Sequence, residues 1–144
     1  MNIFHKPEII TKLQNYCEKQ PLITFCYLFG SISKRKSKYI RDIDIAIYLT
    51  NEKNDDKLKK KVILFTELSK NLETENIDLV VLNGAPIYLS YRILKEGELL
   101  FDRNLRDRNC FQEKIVRYYL DMKYFKEKRD NIIRAYMRKG NYFV

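Results

Sequence analysis

Tyr27-Leu-Phe-Gly-Ser31, then ten residues from Ile32 to Arg41, then Asp42-Ile-Asp-Ile-Ala-Ile-Tyr-Leu49: this stretch decides how the 144-residue chain folds. The apolar run over residues 22–29 reads as a strand that ends in a Gly-Ser turn. The second half alternates strictly, with Asp42, Asp44, Ala46 and Tyr48 on one face and Ile43, Ile45, Ile47 and Leu49 on the other. Both carboxylates therefore share a face, about 6.5–7 Å apart along the backbone. Oxygens so placed converge on hard cations such as Mg²⁺. A pair of such ions about 3.5–4 Å apart is the arrangement used for in-line phosphoryl or nucleotidyl displacement. Gly30 allows a sharp strand exit and the close approach of a phosphate, and Ser31 offers its amide and hydroxyl to phosphate oxygens. An ordinary Gly-Ser turn followed by two solvated aspartates explains either piece alone. Their joint occurrence favours the phosphate and metal reading.

Gly30-Ser31, ten residues, then Asp42-x-Asp44 resembles the signature of the DNA polymerase β-type nucleotidyltransferase superfamily, above all its minimal nucleotidyltransferase (MNT) branch. That family places a third acidic residue on a later strand, and Asp78 in Asn76-Ile-Asp-Leu-Val-Val-Leu-Asn83 fits. The resemblance covers residues 22 to about 120. It implies an α/β (α+β) fold, a small mixed sheet flanked by helices. The catalytic and metal-binding residues would be Asp42, Asp44 and Asp78, and the nucleotide-binding residues Gly30 and Ser31. Many family members carry glycine early in the loop after the Gly-Ser turn, where this chain has Ile32-Ser33-Lys34.

Working outward, the length suits one domain over 1–144 with its core at 22–102. The longest apolar run, residues 22–29, is far short of a membrane span, and the N-terminus has no signal-peptide pattern, so a cytoplasmic protein is expected. Cys17, Cys26 and Cys110 are widely spaced and suggest neither a disulfide framework nor a zinc site; all three are expected to be buried thiols. The net charge of +9 suits an anionic partner, whether nucleotide, nucleic acid or acidic protein. With His5 as the one histidine, no ribonuclease or zinc-hydrolase site built on histidines can be assembled within the chain.

The spacing predicts a helix over residues 7–19 with Ile9, Ile10, Leu13, Tyr16 and Cys17 inward. Lys34, Arg35, Lys36, Lys38 and Arg41 make the loop before Asp42 basic. Most of them read as solvated, with one or two able to neutralise a triphosphate. A polar turn over 51–56 leads to a helix over 56–72, with Leu58, Val62, Phe65 and Leu68 facing the core. A strand covered on both faces follows at 77–82, then a short helix at 87–94 and an edge strand at 98–101. The last helix, about 104–139, carries Phe111, Ile115, Tyr118 or Tyr119, Met122, Phe125, Ile132, Ile133 and Tyr136 as a broken apolar stripe beside a basic face. Its interleaved tyrosines and lysines suit RNA, but a core stripe beside a solvated basic face is the favoured reading, with a protein-partner surface second.

Three converging carboxylates repel one another, so Mg²⁺ or Mn²⁺ is expected. Asp42 and Asp44 would hold the ion on the triphosphate of ATP, and all three aspartates a second ion beside the acceptor hydroxyl, which Asp78 helps deprotonate. Small stand-alone chains of this kind resemble MntA-type antitoxins of HEPN/MNT modules. That resemblance implies transfer of AMP from ATP to a tyrosine hydroxyl of a partner HEPN ribonuclease toxin. Two alternatives remain: nucleotidyl transfer to a small hydroxylated molecule of the aminoglycoside type, and a non-catalytic antitoxin or RNA-binding module.

Overall fold

A computed structural model describes residues 4–30, 39–40, 42–50 and 56–140. In chain order the elements are β1 (Phe4–His5), α1 (Lys6–Lys19), β2 (Ile23–Phe29), β3 (Tyr39–Ile40), β4 (Ile43–Leu49), α2 (Lys57–Leu72), β5 (Ile77–Val81), α3 (Ile87–Glu96), β6 (Glu98–Asp102) and α4 (Leu105–Arg138). Four strands form a sheet in the order β5-β4-β2-β6, and β1 pairs with β3 in a short ribbon. β2 is antiparallel to both neighbours, whereas β4 and β5 are parallel. The expected small mixed sheet flanked by helices, with a long C-terminal helix, is borne out, and β6 is an edge strand.

The alternation of β4 sorts the two layers. Ile43, Ile45, Ile47 and Leu49 pack with Ile9, Leu13 and Cys17 of α1 and Leu64, Leu68 and Leu72 of α2. Ala46 and Tyr48 face the other way, toward Ile93 of α3 and Phe111 and Ile115 of α4. On β2 a bulge between Ile23 and Phe25 shifts the register, so that Ile23 joins the first layer and Phe25 and Tyr27 the second. Phe25 stacks on Tyr48 at 4.7 Å, and Phe111 leans on both rings.

Polar side chains fix the joints. Asn83 accepts from the Leu49 amide at 2.7 Å and donates to the Leu49 carbonyl at 3.0 Å, clasping the end of β4. Arg103 donates from Nε to Ile23 O and from its terminal nitrogen to Cys17 O, binding the C-terminal end of α1 to β2. Arg108 meets Asp102 at 2.6 Å and moors α4 to β6. At Gly97 an added Cβ would press on the Ile93 and Leu28 carbonyl oxygens, so only glycine lets α3 turn into β6 this tightly.

Three expectations need correction, the first being the apolar stripe of α4: Phe111 and Ile115 are buried, but Met122, Phe125, Ile132 and Tyr136 are exposed, because the core clusters reach only the first turns of this helix. α2 turns Leu64, Leu68 and Leu72 to the core, while Leu58 and Val62 are 71% and 57% exposed. The inward line runs Lys60, Leu64, Leu68, Leu72, so it becomes apolar only from the second turn onward. Phe65, partly buried, sits beside that line. Cys17 and Cys26 are buried as expected, but Cys110 is exposed, because α4 buries Phe111 and Ile115 and the residue before Phe111 lies a helical step away from them. No helix among the described residues is long and apolar enough to cross a membrane.

Candidate active site

Asp44 is the second residue of β4, paired with Phe29 of β2 on one side and Asp78 of β5 on the other. Paired residues on neighbouring strands, about 4.8 Å apart, point to the same face. Asp44 and Asp78 therefore stand side by side, and Asp42, one residue ahead of β4, follows the same alternation upstream. The face they share carries the α3 and α4 layer further along the sheet. Here, where β2 ends and β4 and β5 begin, it opens to solvent. Asp42 and Asp78 are exposed and Asp44 is half-buried.

Gly30 closes the site from the β2 side. Its φ of +76° lies in the left-handed region, and an added Cβ would overlap Asp44 Oδ2. Backbone conformation and close approach thus both demand glycine at this turn. The Asp44 carboxyl is held above the ordinary carboxylate value, first by burial, then by the charges of Asp78 and Asp42. The three aspartates thus share one electrostatic field.

Two clefts meet at these carboxylates. One, of about 210 Å³, lies against α3 and is lined by Phe29, Gly30, Asp44 and Asp78, with Leu89, Arg92, Ile93 and Glu96 opposite. The other, of about 330 Å³, is lined by Asp42, Asp44 and Asp78 with Glu75, Asn76 and Ile77. Neither larger cavity is lined by the aspartates: one of about 600 Å³ beside the end of α2 adjoins their cleft at Glu75 and Asn76, and one of about 500 Å³ lies between the far end of β4 and α4. Volume is therefore not what marks the site. Shared register and charge mark it.

As hard oxygen donors on one edge, the three carboxylates suit Mg²⁺ or Mn²⁺. Among the described residues no group of three or more His, Cys, Asp or Glu side chains is gathered closely enough to hold an ion as it stands. Side-chain rotation about a fixed backbone row is what closure on a cation takes. Of the residues expected at the site, the structure brings together Gly30, Asp42, Asp44 and Asp78. Ser31, the loop residues 32–38 and Arg41 lie outside the described residues.

Sequence reasoning missed Glu75, Arg92 and Glu96. Arg92 and Glu96 form an i,i+4 pair at 3.3 Å on α3, which in sequence reads as an exposed helix pair of the commonest kind. The available signal was position: α3 follows the Asp78 strand and is turned back sharply at Gly97.

The family model described as "Polymerase beta, Nucleotidyltransferase" matches residues 11–106. No curated protein sequence matches the chain significantly. Among solved structures, the chain resembles one described as a toxin–antitoxin with AMP-PNP, at 26% identity and a TM-score of 0.62, covering 93% of this chain and 99% of that one. It also resembles a chain of the tri-AMPylated Shewanella oneidensis HEPN toxin in complex with MNT antitoxin, at 26% identity and a TM-score of 0.57, covering 92% and 95%. A structure of the toxin–antitoxin MntA–HepT matches at 25% identity and a TM-score of 0.56, covering 92% and 96%.

Proposed function

This chain belongs to the polymerase β nucleotidyltransferase family, and from that premise we propose that it is the antitoxin of a HEPN/MNT module, transferring AMP from ATP to a tyrosine hydroxyl of its partner HEPN ribonuclease toxin. The observation that carries the reading is the row Asp44–Asp78 with Gly30 packed against Asp44 Oδ2. The likeness to an AMPylated HEPN toxin bound to an MNT antitoxin supports the acceptor, and the likeness to a complex with AMP-PNP supports the nucleotide. Residues 1–144 serve as one minimal transferase domain with its core at 22–102, acting in the cytoplasm, where ATP and cellular RNA are found.

Asp42, Asp44 and Asp78 would hold Mg²⁺ or Mn²⁺, which supplies charge neutralisation of the triphosphate and a lowered pKa at the acceptor hydroxyl. Gly30 lets the turn after β2 pass close against the Asp44 carboxyl, and Ser31 would offer its amide and hydroxyl to a phosphate bound there. Asp78, exposed at the start of β5, orients the tyrosine hydroxyl and takes up its proton. The hydroxyl oxygen bonds to the α-phosphorus, the bond from that phosphorus to the β-phosphate bridging oxygen breaks, and pyrophosphate leaves with the electron pair. AMP on the toxin places a bulky anion where RNA must bind, and repels it.

The test is to mix the purified chain with its HEPN partner, Mg²⁺ and ATP labelled at the α-phosphate, beside an Asp44→Asn control. Label on a toxin tyrosine with the wild type alone is the expected result. Pyrophosphate release without labelled protein would move a small-molecule acceptor ahead. No transfer from any nucleoside triphosphate, or equal transfer by Asp44→Asn, would sink the catalytic reading.

A further inference from the structure

The last helix holds more chain than the fold uses. α4 buries Phe111 and Ile115, and Tyr119 stacks on Tyr91 at 3.7 Å. Beyond that point nearly every residue to Lys139 is exposed. A lone helix of this length gains little from propensity in water, and its stability comes from packing an apolar face. Such a face exists. Tyr118, Met122, Phe125, Arg129, Ile132 and Tyr136 are spaced 4, 3, 4, 3 and 4, continuing without a break from Phe111 and Ile115. Phe125 is 66% exposed and Ile132 55%. A strict seven-residue repeat is the signature of knobs-into-holes packing against another helix, since a straight helix drifts away from it by about 20° per heptad. The exposed seam, 118–136, is about 27 Å long at the helical rise.

Charge narrows the occupant. At the middle of the seam the flanking positions are Lys126 and Lys128, and Arg129 stands within it. Pairing with a second copy would bring together two sets of Lys126, Lys128 and Arg129, offset in each copy by Glu127 between the lysines and by Asp130, which pairs with Arg129 at 3.8 Å, and the whole chain carries +9. A helix whose own apolar seam is edged by Asp and Glu meets these cations with opposite charge. An apolar stripe interrupted at its centre by arginine suits a helix partner better than a lipid surface, which takes a continuous apolar face. We propose that the 118–136 face of α4 is the docking seam for an acidic-edged helix of the partner toxin, and that it holds the complex independently of the catalytic edge. This rests on the antitoxin reading above for the identity of the partner.

The experiment measures Kd between the purified full chain and the HEPN toxin by titration calorimetry, alongside ATP binding read as a thermal shift with Mg²⁺. Phe125→Glu and Ile132→Glu, both at exposed positions, are each expected to raise Kd at least about tenfold, as loss of a central apolar anchor does. Lys126→Glu with Lys128→Glu should slow association and flatten its salt dependence. ATP binding stays as in the wild type in all of them, and Asp44→Asn keeps the wild-type Kd. Unchanged Kd in both apolar variants overturns the seam while leaving the transferase reading standing. A toxin that binds no form of the chain overturns the antitoxin reading and the seam with it. A wild-type homodimer dissolved by Phe125→Glu assigns the seam to a second copy. Binding to phosphatidylglycerol vesicles that Phe125→Glu abolishes, with the toxin complex intact, assigns it to a membrane surface.

Discussion

Gly30 carries two demands in one residue. Alanine there would hold a left-handed φ at a cost of about 1–2 kcal/mol, and its methyl would drive the Asp44 carboxylate out of the row it shares with Asp78. Gly30→Ala is therefore expected to lower denaturant stability by about that amount and to cut nucleotidyl transfer roughly 10²-fold, the usual consequence of an ångström-scale displacement at a reacting centre. Asp44 behaves oppositely in stability. Its folded-state pKa is raised by burial and by Asp78 and Asp42, so over the window above its ordinary value the native state binds more protons than the unfolded chain. Stability then falls as pH rises through that window, and at neutral pH the ionised carboxylate is a net cost to the fold. Asp44→Asn should raise the Tm in chelator by about 1–2 °C, a small gain because the group is only half-buried and solvent screens it in part. It should abolish transfer at the same time. A lower Tm for Asp44→Asn in chelator would refute the repulsion.

At the scale of elements, the layers are joined by a few side chains that satisfy strand and helix ends. Arg103 caps the C-terminal carbonyls of α1 and reaches Ile23 O with the same fork. Lysine has one ammonium and cannot span both, so Arg103→Lys is expected to lose about 1–2 kcal/mol by denaturant titration despite keeping the charge. Tyr16 donates to Glu67 at 2.5 Å and links α1 to α2. Burial and then that hydrogen bond raise the phenol above its ordinary value near 10. Above pH 10 the unfolded chain loses this proton first, so stability present below that pH is lost as pH rises. Tm measured from pH 9 to 11 should fall, and Tyr16→Phe should make the fall shallower.

At the scale of the molecule, a two-layered core is joined to a helix that outruns it. Residues of α4 beyond Tyr119 contribute exposed surface more than core. Removing residues 126–144 is expected to leave the Tm within about 2 °C of the full chain, since local stability follows buried contacts, while helical circular dichroism drops and toxin affinity is lost. A collapse of the Tm would show that the distal turns pack on the core after all.

Much of the fold was legible because β4 is amphipathic at a period of two: the order of its residues alone assigns the isoleucines to one layer and the aspartates to the other. The Gly-Ser turn and the Asp42-x-Asp44 pair could be found by spacing, since chemistry at a strand edge requires fixed residue types at fixed intervals; Asp78, on a later strand, is singled out by its order after them and by the family resemblance. The inward face of α2 was not legible, because Leu58 and Val62 match helical periodicity as well as Leu64 and Leu72 do, and only docking selects between stripes. Cys110 illustrates the same limit one residue from a core position. Arg92, Glu96 and Glu75 reach the site through the pairing of β4 with β5 and the sharp turn at Gly97, contacts between segments distant in sequence. The sequence by itself determined which residues alternate, turn and repeat, because those follow from local backbone geometry. Only the tertiary structure decided which of several apolar stripes is buried and which charges face the aspartates, because burial and proximity depend on what packs against each element.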